Sequence, residues 1–146
     1  IIGQATAEDI KIQIGAVNPR PEETVMTVKG RDSKTGMPRE VTLYSSEIYE
    51  VLRRPARVIA DEVLNVLEMT SPELVGDISE NGITLTGGGS QIWGMASLLS
   101  ERTGVPCTVA DDPDSCVAYG CGKSLSWINH MPEGPINIAR KRLMRE

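Results

Sequence analysis

The chain has 146 residues, 40% of them hydrophobic, only 3% aromatic and none Phe, and its formal net charge is −5. That length accommodates one ordinary domain or two small lobes with a real core, and the composition argues against disorder while leaving Val, Ile, Leu and Met to fill the interior. The acidic balance argues against a nucleic-acid partner, and no run approaches the roughly 18 to 20 apolar residues of a membrane-spanning helix, so the chain is expected to be soluble and cytosolic.

Residues 6–15 begin with Thr6 as the expected N-cap, carry acids in the first turn and stop at Gly15, the punctuation of a short helix. Ile10 and Ile14 share one face, and Glu8 and Lys11, spaced i,i+3, share another, where they pair with each other or reach outward together. After the break at 18–21, residues 24–28 and 40–44 are β-branched runs of strand length, joined by a turn-rich stretch from Gly30 to Pro38, and read as a hairpin. Ser45 or Ser46 is expected to cap a helix over 47–69 with an apolar stripe of Ile48, Leu52, Ile59, Val63, Val66 and Leu67. Pro55 is expected to kink or split it. Ser71, Pro72 and Glu73 have the grammar of a helix start, closed at Asn81 and Gly82.

From Gly82 onward the pattern changes to strand 83–86, helix 91–103 stopped by Gly104, strand 105–110, and helix 114–128. This β-α-β-α order is the signature of a parallel α/β layer. Between its first strand and helix stand Gly87, Gly88 and Gly89. Three glycines in succession allow positive φ and a close approach of backbone to a flat or anionic group, and the helix that follows aims its free N–H groups at the same place. Taken alone, the spacing fits a ligand contact and a purely structural turn equally, and it is not that of a P-loop. Ser90 is a candidate cap for the following helix; Trp93 and Met95 read as packing.

Several chemistries are left without a carrier. Cys107, Cys116 and Cys121 are odd in number and have no Cys-x-x-Cys spacing, which describes neither a disulfide framework nor a zinc site. The sole histidine, His130, sits in a Pro/Gly-flanked segment and makes no case for a cysteine nucleophile. Asp111, Asp112 and Asp114 surround a proline just ahead of a helix and read as capping and dipole complementarity, not as a metal site. No catalytic or metal-ligating residue is therefore assigned. The tail gathers Arg140, Lys141, Arg142 and Arg145, a solvated or frayed end in preference to a membrane-surface element. The chain opens in the middle of an apolar pattern and reads as a piece of something longer.

Five stretches, in order, carry a resemblance: residues 2–15, 30–38, 70–78, 82–89 and 111–118. Together they resemble the C-terminal half of the MreB/Mbl family of bacterial actin-like proteins, and more broadly the actin, chaperone and sugar-kinase ATPase superfamily. The resemblance implies an α/β fold forming part of the second lobe of an actin-like ATPase: a small α+β outer subdomain over 1–82, the closing half of an inner α/β subdomain over 83–128, and a tail over 129–146. It implies ATP or ADP with Mg²⁺ bound between two lobes, with Gly87, Gly88 and Gly89 against the adenosine and its phosphates, Ser90 beside them, and Glu8 and Lys11 approaching ribose and adenine from the other side. An acid and a lysine one turn apart can bond ribose hydroxyls and a base edge; the alternative is a surface ion pair of little energetic weight.

The resemblance further implies filaments of the protein with itself, membrane-associated morphogenesis partners, and a cytoplasmic location at the inner membrane face, where the protein organises cell-wall synthesis and so determines cell shape. The family's Mg²⁺-positioning and water-activating acids match nothing in this chain, so these residues alone are not expected to hydrolyse ATP. The Gly30 to Pro38 loop is the candidate filament contact. Two other readings stand beside this one: a non-polymerising ATPase of the same superfamily, of chaperone or sugar-kinase type, and a stand-alone interaction module that binds no nucleotide.

Overall fold

A computed structural model describes residues 1–126; the end of the helix expected to reach residue 128, His130 and the basic tail lie outside the described residues. The chain forms two compact units, one over Ile1–Asp114 and one from Ser115 onward.

In the first unit, α1 (Gln4–Ile14) starts two residues before the expected cap, because Gly3, in extended conformation, supplies the entry and no side chain caps it. Ile10 and Ile14 are buried as their spacing requires and meet Val28 of strand β1 (Val25–Arg31), with Met26, Leu43 and Ile48 packed around them. Strand β1 pairs antiparallel with β2 (Pro38–Tyr44) from Val25 opposite Tyr44 to Arg31 opposite Pro38. The hairpin is longer than the β-branched runs suggest, since ladder bonds carry it through Lys29, Gly30 and Arg31 once the first pairs have formed.

Helix α2 (Ser45–Glu68) corrects three expectations. It begins at Ser45 itself, behind Tyr44, whose N–H donates to Glu47 at 3.0 Å; Ser45 is buried and its Oγ accepts the Thr24 N–H at 3.0 Å. The serine ties the helix to the strand and does not cap it. The helix also runs unbroken through Pro55; packing against α4 (Met95–Thr103) offsets the lost bond. The face that packs is built from Ala56 and Ala60 with Leu52 and Val63 beside them, whereas Ile59 and Val66 of the expected stripe are 52% and 64% exposed. Small residues at 56 and 60 let the two helices approach closely, and the larger apolar residues point elsewhere.

Helix α3 (Pro72–Asn81) follows the expected bounds, with Ser71 at its N-cap, Pro72 in its first turn and Gly82 at φ +78° ending it. Strands β3 (Ile83–Leu85) and β4 (Cys107–Val109) pair in parallel, as the β-α-β-α order predicts. Gly104 in the left-handed region stops α4 where expected. Val17, Ala56, Ala60, Met95, Leu98 and Leu99 form the larger core cluster. In the second unit, α5 (Cys116–Leu125) carries Lys123 over the ring of Tyr119 at 4.7 Å. No described helix is long and apolar enough to cross a membrane.

Candidate functional site

Strand β3 delivers the chain into the glycine turn. Gly87 takes φ +80°, ψ +161°, a conformation essentially restricted to glycine. Residues Gly88–Gln91 then form a single turn of 3₁₀ helix, and Gly94 at φ +84° reverses the chain before α4. The helix expected from residue 91 therefore starts at Met95, because Gly94 interrupts it. Ser90 does not cap that helix. It is buried, and its Oγ donates to the Gly87 carbonyl at 2.6 Å while its N–H donates to the same oxygen at 3.0 Å. Ser90 thus locks the glycine turn from within.

The backbone donors of the turn divide into used and open. Gly87 donates to the Pro113 carbonyl at 2.7 Å and Ile92 donates to the Gly89 carbonyl at 3.4 Å, whereas nothing among the described residues takes up the N–H groups of Gly88 and Gly89. Both residues are exposed. A Cβ built on Gly87 or Gly89 would meet nothing within 4 Å, and one on Gly88 would meet only Asp114 Oδ1, at 3.3 Å. Glycine at 89, whose φ is not positive, is demanded neither by its backbone nor by any neighbour in this chain. Two adjacent open donors at the surface can serve an acceptor-bearing group.

The exit of the turn is tied to α1. Ala16 bridges Trp93 in parallel, and the Val17 N–H donates to the Trp93 carbonyl at 2.8 Å. Gly94 lies so close to Asn18 that a Cβ there would sit 2.9 Å from its backbone nitrogen. Arg20 stacks over the Trp93 ring at 5.2 Å while its Nη2 donates to the Gly15 carbonyl at 3.1 Å. Trp93, expected as packing, is 46% exposed and serves as this platform; Met95 is buried as expected. The strut fixes α1 relative to the glycines. On α1, Lys11 Nζ and Glu8 Oε1 pair at 2.7 Å, both partly exposed. At about 1.5 Å rise per residue, Lys11 stands about 4.5 Å and Glu8 about 9 Å along the helix from its last residue, Ile14.

Of the three acids at 111–114, Asp114 is engaged away from the helix that follows. Asp114 Oδ2 accepts from Gln91 Nε2 at 2.7 Å, joining the loop after β4 to the 3₁₀ turn, and α5 has Ser115 at its N-cap with no side-chain cap bond. Sequence reasoning missed Gln91 as a site residue because its partner lies 23 positions away.

Comparison with solved structures defines the class. The chain superposes on MreB5 of Spiroplasma citri bound to ADP with a TM-score of 0.82 at 37% identity, covering 90% of this chain and 41% of that one. It superposes on the same protein bound to AMPPNP with a TM-score of 0.82 at 39% identity, covering 88% and 39%. The fold is α/β and actin-like.

The family follows from sequence. The model for the MreB/Mbl protein family matches residues 1–133. The cell shape-determining protein Mbl of Bacillus cereus is 44% identical over 133 residues, 91% of this chain and 40% of that protein. The cell shape-determining protein MreB of Escherichia coli K12 is 47% identical over 129 residues, 88% and 37% respectively. The chain belongs to the MreB/Mbl family, and it spans about two fifths of the length of these relatives.

Proposed function

We propose that these residues form part of the second lobe of an ATP-binding, filament-forming actin homologue that determines bacterial cell shape, and that they supply the adenosine side of its nucleotide cleft. The observation that carries this reading is the glycine turn, with the Gly88 and Gly89 N–H groups open and clear space at the Cβ position of Gly89. An adenine nucleotide fits these residues: the open donors suit phosphate or ribose oxygens, and the Glu8–Lys11 pair on the strutted helix offers an acceptor and a donor to ribose and base. The residues that would hold Mg²⁺ are assigned to the part of the protein beyond this chain.

Within this reading, residues 1–82 act as the outer subdomain, 83–128 as the closing half of the inner subdomain and 129–146 as a tail. Val58, Ile59, Val63 and Val66, with Glu62 among them, border a shallow, mostly apolar groove of about 380 Å³, which supports the view that a further part of the same lobe covers α2. Filament contacts, cell-wall morphogenesis partners and a location at the inner membrane face follow by likeness to the family. The loop from Gly30 to Pro38 is the proposed contact along the filament; unchanged polymerisation after its replacement by a short Gly-Ser turn in the whole protein would remove that assignment.

The nucleotide reading is tested with Gly89→Val in the whole protein. The first carbon of the side chain would meet nothing within 4 Å in this chain, so circular dichroism should be unchanged while ADP affinity, measured by titration calorimetry, falls by about a hundredfold, or about 2.7 kcal/mol. Retained affinity would show that nucleotide does not rest on this turn.

A further inference from the structure

Gly88 has one close side-chain neighbour, the Asp114 carboxylate, and that neighbour is held in place by a residue of the glycine turn itself. Gln91 donates Nε2 to Asp114 Oδ2 at 2.7 Å, leaving its own Oε1 pointing to no described donor. Asp114 Oδ1 stands 3.3 Å from the Cβ position of Gly88. Both side chains are exposed. The Gly87 bond to the Pro113 carbonyl at 2.7 Å fixes the loop that carries Asp114. The turn therefore has two chemically different rims: open N–H donors at Gly88 and Gly89, and a pair of acceptor oxygens at Gln91 and Asp114.

We infer that Asp114, oriented by Gln91, is a specificity-determining residue of the nucleotide site, accepting a hydrogen bond from the amino group of the bound base. This rests on the nucleotide reading above and extends it to base selection. A donor rim cannot distinguish one base from another when it faces phosphate or ribose. An acceptor rim can, because it bonds an exocyclic amine and repels a carbonyl oxygen standing in its place. The structures that this chain resembles hold ADP and AMPPNP, whose base carries such an amine. Gln91 serves as a positioning residue: without its amide, the carboxylate is free to rotate into solvent.

The test compares ADP with purine riboside 5′-diphosphate, which lacks the amino group, by titration calorimetry on the whole protein. The unmodified protein should prefer ADP by about three- to tenfold, the discrimination expected of one solvent-accessible hydrogen bond to a charged acceptor. Asp114→Ala should weaken ADP to the level of the analogue and leave the analogue unchanged; Gln91→Ala should lower the preference without abolishing it. A role confined to pinning the loop would move both ligands together. Preference retained in Asp114→Ala, or absent in the unmodified protein, overturns the role of Asp114 alone. Failure of the unmodified protein to bind either ligand overturns the nucleotide reading and this inference with it.

Discussion

The two turn-rich segments, at 30–38 and 87–94, are both rich in glycine or turn-forming residues, and they dispose of their backbone donors in opposite ways. In the hairpin tip, Asp32 accepts from the N–H groups of Lys34 at 2.8 Å and Thr35 at 3.1 Å and pairs with Arg39 at 3.1 Å; its own N–H donates to Met37 and its carbonyl accepts from Gly36. Apart from the Ser33 N–H, the tip satisfies its own donors. The glycine turn is locked by Ser90 and by Pro113, yet leaves two adjacent donors unpaired at the surface. A self-satisfied turn is a rigid projection suited to contact with another protein, and one that is rigid with open donors is prepared for a ligand.

The contrast can be broken most forcibly at Gly94. Gly94→Ala places a Cβ against Asn18 in a positive-φ position, and should cost about 3 kcal/mol. Hydrogen exchange at the Val17 amide, which donates to Trp93, is the readout, and an unchanged rate would show that the strut tolerates displacement. Gly87→Ala comes next. No neighbour obstructs the added carbon, so the cost is conformational alone, about 2 kcal/mol at φ +80°, ψ +161°. Gly36→Ala in the hairpin tip, at φ +72° with open space around it, should cost about 1 kcal/mol. Neither substitution of these two should alter the other turn's amide exchange.

Gly89→Ala sharpens the comparison from the other side. With no positive φ and nothing within 4 Å of the new methyl, it should change stability by no more than about 0.5 kcal/mol while still weakening ADP. A thermal melt without nucleotide and a calorimetric titration with it separate the two. Weakened folding with unchanged binding would mean that glycine at 89 serves structure after all.

Much of this division was legible in the sequence, and the illegible part has a physical pattern. Helix α3 declared both ends, since Pro72 and Gly82 act through backbone geometry that depends on no distant partner. The parallel β3–β4 pair followed from element order. The start of α4 did not, because a glycine near a helix start reads as tolerable until the fold sets its φ positive, as at Gly94. The buried face of α2 was misread for the same reason: Ala56 and Ala60 carry little hydrophobic signal, and only the close approach of α4 makes them core. At the candidate site, the glycine turn and the pairing of Glu8 with Lys11 were readable locally as structure, whereas Gln91 with Asp114 and Arg20 with Trp93 are contacts that no spacing rule announces.

The smallest expected effect is also the one that isolates the hairpin tip. Two backbone N–H donors, from Thr35 and Lys34, and the Arg39 guanidinium hold the Asp32 carboxyl at about 2, below its ordinary 3.8. A depressed folded pKa means that the ionised form is favoured by folding, so its contribution is complete above the unfolded value and is lost as pH falls from about 4 to about 2. The tip should therefore loosen over that window, visible as increased amide exchange at Lys34 and Thr35 relative to the β1–β2 ladder. Asp32→Asn retains an acceptor oxygen but not the charge, so it should show the looser tip at neutral pH and no further change on acidification. Should the substituted tip still loosen between pH 4 and 2, the responsible carboxyl lies elsewhere, and the tip is not self-contained in the sense that separates it from the glycine turn.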